Sequence, residues 1–317
     1  MVQLPEPATQ RTMYFIGVTT GQSSIMKVFP RWADVLGIDA VIKGIDIGIH
    51  APAEDYRGAV NFIKSDPLSL GALVTTHKLD LLTAARDMFD ALDPYAELLN
   101  EVSSISKRDG KLWGHAKDPI SSGYSLEAFV PNNWWIDHPQ AQALIIGAGG
   151  SSLATSIYLM DETKHGKNRP SKIVVTNRSK PRLEHMRDIH EKLDSGVPVE
   201  YHFCPTFEEN DAVLAEMPEY SLVMNATGLG KDVPGSPLTD AALFPQNALA
   251  WEFNYRGDLK FLHQASAQKE SQQLVVEDGW IYFIHGWSQV IAEVFHIDLT
   301  PELVAKLSET ASDLRPS

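Results

Sequence analysis

The sequence predicts an α/β protein made of two α/β domains, the first carrying a mostly parallel sheet. Three observations predict it. Short β-branched runs alternate with apolar patterns of helical spacing along almost the whole chain. At 317 residues the chain suits two domains of ordinary size, each able to bury its own core. The stretch Ala141-Gln-Ala-Leu-Ile-Ile-Gly147-Ala-Gly149-Gly150-Ser-Ser-Leu-Ala154 joins a strand-length apolar run to a helical pattern through a glycine turn. A continuous apolar run of that length is what a parallel strand buried on both faces looks like.

Taken in order, Tyr14 to Val18 reads as a first strand. Gln22-Ser23-Ser24 leads into helical spacing at Ile25, Val28, Phe29, Trp32, Val35 and Leu36. Val41–Ile47 is a second strand, and Pro52–Lys64 an amphipathic helix with proline at its start. Gly71–Thr76 is a third strand and Lys78–Phe89 another helix. Val102 to Gly114 reads as two strands joined at Asp109-Gly110, a preferred hairpin turn. A helix over Pro119–Phe129 follows, and Pro131–Pro139 reads as a linker. Strands are then expected near 141–147, 172–176, 198–203, 221–226, 248–253 and 273–276. Helices start near Ser151, Lys180, Phe207 and Leu259. Gly279–Phe295 and Pro301–Ser312 are helices with no strand after them. The expected division is a first domain over 1–118, completed by 279–317, and a second over 119–278.

Composition narrows the function. A formal charge of −14 argues against a general nucleic-acid or anionic-membrane surface. No apolar run reaches membrane-spanning length, and no signal core opens the chain. The one cysteine, Cys204, excludes an internal disulfide and a cysteine-rich metal site, so a cytoplasmic protein is expected. His77, His115 and His285 lack the spacing of a helical ligand pair, and no metal is expected.

The glycine stretch is a dinucleotide fingerprint. Gly147 permits the turn and Gly149 lets the backbone approach a pyrophosphate. The N-terminus of the helix that follows then presents unpaired N–H groups to that anion. The next strand, Ile173-Val-Val-Thr176, ends in Asn177-Arg178-Ser179-Lys180-Pro-Arg182, where the adenosine ribose is met. A carboxylate there would favour NAD; Arg178, with Lys180 and Arg182, accommodates the 2′-phosphate of NADP.

Several segments then match one pattern, and the chain resembles the shikimate/quinate dehydrogenase family over nearly its whole length. Gly17 and Ser23-Ser24 look like a shortened first-strand motif that offers two hydroxyls to a substrate carboxylate. Gly71-Ala-Leu-Val-Thr75-Thr76-His77-Lys78 looks like Gly-x-Asn-Val-Thr-x-Pro-x-Lys with one residue missing. Val102-Ser103-Ser104-Ile105 occupies the Val-Asn-Thr-Ile position, and Gly114-His-Ala-Lys-Asp118 the Gly-x-Asn-Thr-Asp position. Asn177-Arg178-Ser179-x-x-Arg182 matches the Asn-Arg-Thr-x-x-Arg cofactor loop. Asn225-Ala226-Thr227-Gly-Leu-Gly matches a loop beside the nicotinamide. Tyr255 aligns with a substrate-site tyrosine, and Asp278-Gly279 with the Asp-Gly before the returning helix.

The resemblance implies an N-terminal substrate domain, a C-terminal Rossmann-type NADP domain and an active site in the cleft between them. It also implies hydride transfer between NADP and an alcohol. Lys78 would be the acid/base group and Asp118 its partner; both begin helices just after strands, where site residues concentrate. Ser23, Ser24, Thr75, Ser103 and Tyr255 would meet the substrate, and Trp287 would narrow the pocket. Gly147, Gly149, Gly150, Asn177, Arg178, Ser179, Arg182, Asn225, Ala226, Thr227 and Gly279 would meet the cofactor.

The departures matter as well. Three family asparagines are replaced by Leu73, Ser103 and Ala116, and the family glutamine of the returning helix falls on Gly286, with Gln289 one turn away. A site that has lost hydroxyl-binding amides gains less from binding shikimate. The expected substrate is therefore another cyclic or polyhydroxylated hydroxy-acid or polyol. Authentic shikimate/quinate dehydrogenase and a non-catalytic NADP-binding regulator are the alternatives. A monomer or homodimer suits the architecture.

Overall fold

The computed structural model describes residues 2–193, 195–231 and 233–315; Met1, Asp194, Asp232, Pro316 and Ser317, three of them at the ends of the expected first domain, lie outside the described residues. The chain divides into two compact units, Met1–Asp118 with Ile284–Leu314, and Pro119–Phe283 with Arg315–Ser317. The division falls inside one helix, Trp280–Phe295. No helix among the described residues is long and apolar enough to cross a membrane.

The sheet of the first unit contains β1 (Thr12–Gly17), β2 (Val41–Asp46), β3 (Ser69–Val74), β4 (Ala91–Leu92), β5 (Ser104–Arg108) and β6 (Lys111–His115), in the order β2-β1-β3-β5-β6-β4. β1 lies between β2 and β3, parallel to both, and each of its residues is buried. That position explains its unbroken apolar run. The sheet is parallel except where β5 pairs antiparallel with β3 and β6. The β5–β6 turn is Asp109-Gly110, with φ of 52° and 73°, the left-handed pair that such a turn requires. Gly71 on β3 has φ 135°, and a Cβ there would lie 2.1 Å from the Ile105 carbonyl oxygen. Only glycine lets β5 approach so closely. The helices Ile25–Leu36 and Pro301–Thr310 are tied by Trp32 Nε1 donating to the Leu307 carbonyl at 2.8 Å.

The sheet of the second unit is wholly parallel. β7 (Ala143–Ile146), β8 (Ile173–Asn177), β9 (Val199–Phe203), β10 (Leu222–Asn225), β11 (Leu249–Glu252) and β12 (Val275–Glu277) run in the order β12-β11-β10-β7-β8-β9. This is the doubly wound Rossmann order. The direction of winding reverses between β7 and β10, and such folds bind ligands at the carboxyl ends of the strands there.

Two features depart from the sequence reading. The segment read as a linker, 131–139, is packed into the second unit through the short helix Trp134–Asp137. Trp134 Nε1 donates to the Tyr220 carbonyl at 2.9 Å, and the Trp135 ring is buried. Burial of the Trp135 indole and the hydrogen bond of the half-buried Trp134 outweigh the turn-like composition. Strand β4 and the helix Pro94–Leu99 were not anticipated, although Asp93 caps that helix by accepting the Ala96 N–H at 2.7 Å, with proline at its start.

Candidate functional site

In the first unit the carboxyl ends of β1 and β3 lie side by side. Thr75 N–H donates to the Ile16 carbonyl at 3.1 Å, and a Cβ on Gly17 would sit 3.1 Å from Thr75 Oγ1. Lys78 begins the helix Lys78–Ala85 three residues later, its N–H on the Thr75 carbonyl. Asp118 begins the helix Asp118–Glu127 just after β6. Ser103, just before β5, links the two ends: Val74 N–H donates to the Ser103 carbonyl and Ser103 N–H to the His115 carbonyl, each at 2.9 Å. Forty positions apart in sequence, Lys78 Nζ and the Asp118 carboxylate form an ion pair. The two side chains are 24% and 20% exposed, partly desolvated yet open to a reactant.

The Glu101 carboxyl, unremarked in the sequence, feels the charges of both residues. Burial pushes its carboxyl up to about 7; Lys78 pulls it down and Asp118 pushes it up. The signal was adjacent: the motif began at Val102, one residue later, whose N–H donates to the Lys78 carbonyl at 3.2 Å.

The expected substrate residues fare differently. Ser24 stands at the cap position of Ile25–Leu36 but its hydroxyl makes no capping bond, and both Ser23 and Ser24 are half-buried. The Ser103 hydroxyl accepts the Lys117 N–H at 2.8 Å and lies 3.4 Å from the His115 carbonyl; the residue is 2% exposed. These bonds engage Ser103 within the fold. Leu73 and Ala116 are buried. Trp287 packs edge-on against Phe15 of β1, with centroids 5.9 Å apart. Nearby, Lys117 Nζ bonds Glu293 at 2.9 Å, and His115 lies between Glu293 and Asp93. Burial raises the Glu293 carboxyl, but Lys117 and His115 hold it below its ordinary value.

In the second unit a cavity of about 230 Å³ opens at the carboxyl ends of β7, β8 and β10. Gly147, Gly149, Asn177, Arg178, Arg182, Ala226 and Thr227 line it. Gly147 has φ 114°, and a Cβ there would come within 2.8 Å of the Ala226 carbonyl oxygen; Gly149 and Gly150 face open space. The helix Gly150–Met160 starts here with its unpaired N–H groups. Asn177 Nδ2 and Thr176 Oγ1 are buried without a hydrogen-bond partner. Arg178 and Arg182 have no ion-pair partner among the described residues. A glycine cradle, a helix N-terminus, an orphaned amide and two unmatched guanidinium groups fit a bound dinucleotide with an extra phosphate. Ser179 stands at the cap position of Lys180–His190 with no capping bond. Gly150, Ser179, Asn225 and Gly279 do not line the cavity.

Asn225 works one layer deeper. Its Oδ1 accepts the Thr227 N–H at 3.1 Å and hydroxyl at 2.7 Å; its Nδ2 donates to the Glu252 carboxyl at 2.7 Å. Glu252, fully buried and missed in the sequence, also accepts the Asn254 N–H at 2.8 Å and side-chain amide at 2.7 Å. Burial pushes its carboxyl up to about 8, against the pull of those bonds. Glu252 thus fixes the loop after β10 to the end of β11. Gly279 would bring a Cβ to 2.1 Å from the Phe253 carbonyl oxygen, so it serves close packing. Tyr255 packs its ring on Trp280 and Phe283. No group of three His, Cys, Asp or Glu side chains among the described residues could hold a metal ion.

No protein-family model matches the chain. A shikimate dehydrogenase (NADP(+)) of Lactococcus lactis subsp. cremoris is 28% identical over 180 residues, 56% of this chain and 59% of the relative. The chain thus matches somewhat over half the length of that curated relative. A quinate dehydrogenase from Corynebacterium glutamicum, solved in complex with NAD, superposes with a TM-score of 0.75 at 18% identity, covering 96% of this chain and 99% of the other. The ligand-free 5-ketofructose reductase of a Gluconobacter strain superposes with a TM-score of 0.69 at 17% identity, covering 95% and 98%. At these identities the two structures speak for the fold.

Proposed function

We propose, from neighbours that consistently indicate the shikimate/quinate dehydrogenase family with this chain as a divergent member, that the protein is an NADP-dependent oxidoreductase acting on an alcohol. It would transfer hydride reversibly between NADP and a cyclic or polyhydroxylated hydroxy-acid or polyol. The observation that carries the reading is the partly desolvated Lys78–Asp118 pair at two helix starts. The first unit would hold the substrate and the second the cofactor. A bound NADP supplies the hydride acceptor. Gly147, Gly149 and the helix from Gly150 would hold its pyrophosphate, Arg178 and Arg182 its 2′-phosphate, and the loop Asn225–Thr227 its nicotinamide end.

Lys78, as the neutral amine, takes the proton of the reacting hydroxyl. Asp118 holds the amine in place and stabilises the ammonium that forms. Ser23, Ser24 and Thr75 bind and orient the substrate, with Tyr255 a further contact. Shikimate itself is disfavoured. Leu73 and Ala116 offer no polar group, and Ser103 spends its hydroxyl on the backbone. The 5-ketofructose reductase supports a changed substrate on this fold. The proposed setting is cytoplasmic, as a monomer or homodimer.

The test is NADPH formation by the purified protein with shikimate, quinate and a panel of cyclic and linear polyols. Oxidation of a panel polyol in preference to shikimate is expected. Shikimate turnover at ordinary enzyme rates would overturn the substrate argument. Tight NADP binding without turnover of any compound would favour the regulator.

A further inference from the structure

Among the 16 residues of the returning helix Trp280–Phe295, Glu293 is the only Asp, Glu, Lys or Arg. A carboxylate on so apolar a helix, with its side chain 25% exposed, needs a partner. One of its oxygens accepts from Lys117 Nζ at 2.9 Å, across 176 positions of sequence, and the His115 ring stands 3.5 Å from the other. Burial works against the charge of Glu293, but Lys117 and His115 more than offset it. Lys117 directly precedes Asp118, and its own side chain is 11% exposed.

The residues leading to Asp118 are held at successive points. The His115 carbonyl accepts the Ser103 N–H at 2.9 Å, and its ring is hydrogen-bonded to Ser106 Oγ at 2.9 Å. Ala116 N–H donates to Asp93 Oδ1 at 3.3 Å, and Lys117 N–H to Ser103 Oγ at 2.8 Å. These partners come from the nearby stretch 93–106. Glu293 adds a hold from the returning helix, and it grips the residue bonded to Asp118. The Lys78–Asp118 pair closes over 40 positions of sequence, so its geometry depends on where the chain delivers each partner. A reacting group displaced by about 1 Å costs about 100-fold in rate.

We propose that Glu293 is a positioning residue for the reaction: through its ion pair with Lys117 it sets the backbone of Asp118, and so the place where the Asp118 carboxylate meets Lys78. The inference rests on the reading of Lys78 and Asp118 as the reacting pair. Glu293 acts through Lys117 and the chain, and takes no part in the proton transfer itself. The returning helix thereby supplies the first unit with a charge that holds its site, besides apolar packing.

The experiment measures kcat and the KM for NADP with the panel polyol that the wild type oxidises fastest. The variants are Glu293→Gln, Lys117→Met, Lys117→Arg, Asp118→Asn and the double variant Asp118→Asn/Glu293→Gln, each at a temperature well below its melting point. Glu293→Gln and Lys117→Met should each lose about 10- to 100-fold in kcat, with the KM for NADP unchanged. Lys117→Arg, which can still hold Glu293, should keep most of the activity. In the Asp118→Asn background Glu293→Gln should cost nothing more, because the carboxylate it positions is already gone. Losses that multiply in the double variant would make Glu293 a general stabiliser and overturn the proposal. Should Glu293→Gln fail to fold, the same cycle with Lys117→Met decides. Full kcat in Glu293→Gln beside a crippled Asp118→Asn would sink the positioning role alone. If Asp118→Asn turns over normally, or the wild type oxidises nothing in the panel, the reading of the pair fails and the positioning role with it.

Discussion

In the first unit the charged groups find partners: Lys78 holds Asp118, Lys117 holds Glu293, and the Asp46 carboxylate accepts the neutral Thr20 hydroxyl at 2.5 Å and N–H at 2.9 Å. At the strand ends of the second unit, Arg178 and Arg182 face the cavity without a carboxylate, and Asn177 Nδ2 is buried without an acceptor. The difference separates two kinds of chemistry. A matched, half-buried pair satisfies its charges within the fold. Unmatched cations and orphaned donors are completed from outside, which binding an anion requires.

The largest effect should come from breaking the matched pair. Lys78→Ala should lower turnover by about 10²- to 10⁴-fold, the usual range for an acid/base group, while NADP binding to the second unit persists. Parallel measurement of kcat and of NADP affinity checks this; loss of both together would break the contrast.

A smaller effect concerns the support beneath the cavity loop. The Glu252 carboxyl titrates at about 8 in the fold, against an ordinary value of 4.5. Between these values the folded protein keeps a proton that the unfolded chain has released. Stability therefore falls as pH rises through this window and levels off above about 8. Glu252→Gln removes that dependence, on the order of a few kcal/mol across the window. Melting temperatures at pH 5, 6.5 and 8 should descend in the wild type and stay flatter in the variant. Equal descent in both would remove Glu252 as the cause.

Much of the architecture was legible in the chain. Buried parallel strands such as β1 and β7 announce themselves as continuous apolar runs, and Asp109-Gly110 carries its turn in its own conformational preference. The helix Pro94–Leu99 is too short for periodicity to register, and burial of Trp135 is a tertiary fact invisible in 131–139. At the sites, the local devices were readable: Gly147 in its turn, and Arg178 after β8. Lys78 and Asp118 lie 40 residues apart, and no spacing rule joins them; the family resemblance singled out both. Glu101 and Glu252 escaped because burial and charged or amide neighbours give them their character, and only the fold supplies these. Ser103 shows the converse: a residue in a motif position whose hydroxyl the fold spends on the Lys117 N–H.

The most direct test of the contrast is an equilibrium titration of the wild type and of Arg178→Ala with NADP and with NAD. The wild type should bind NADP more tightly, and the substitution should weaken NADP by about 10- to 100-fold, the scale of lost charge-assisted phosphate bonds, with little change for NAD. Equal affinities in the wild type, or equal losses with both cofactors, would contradict the assignment of the unmatched arginines to the 2′-phosphate.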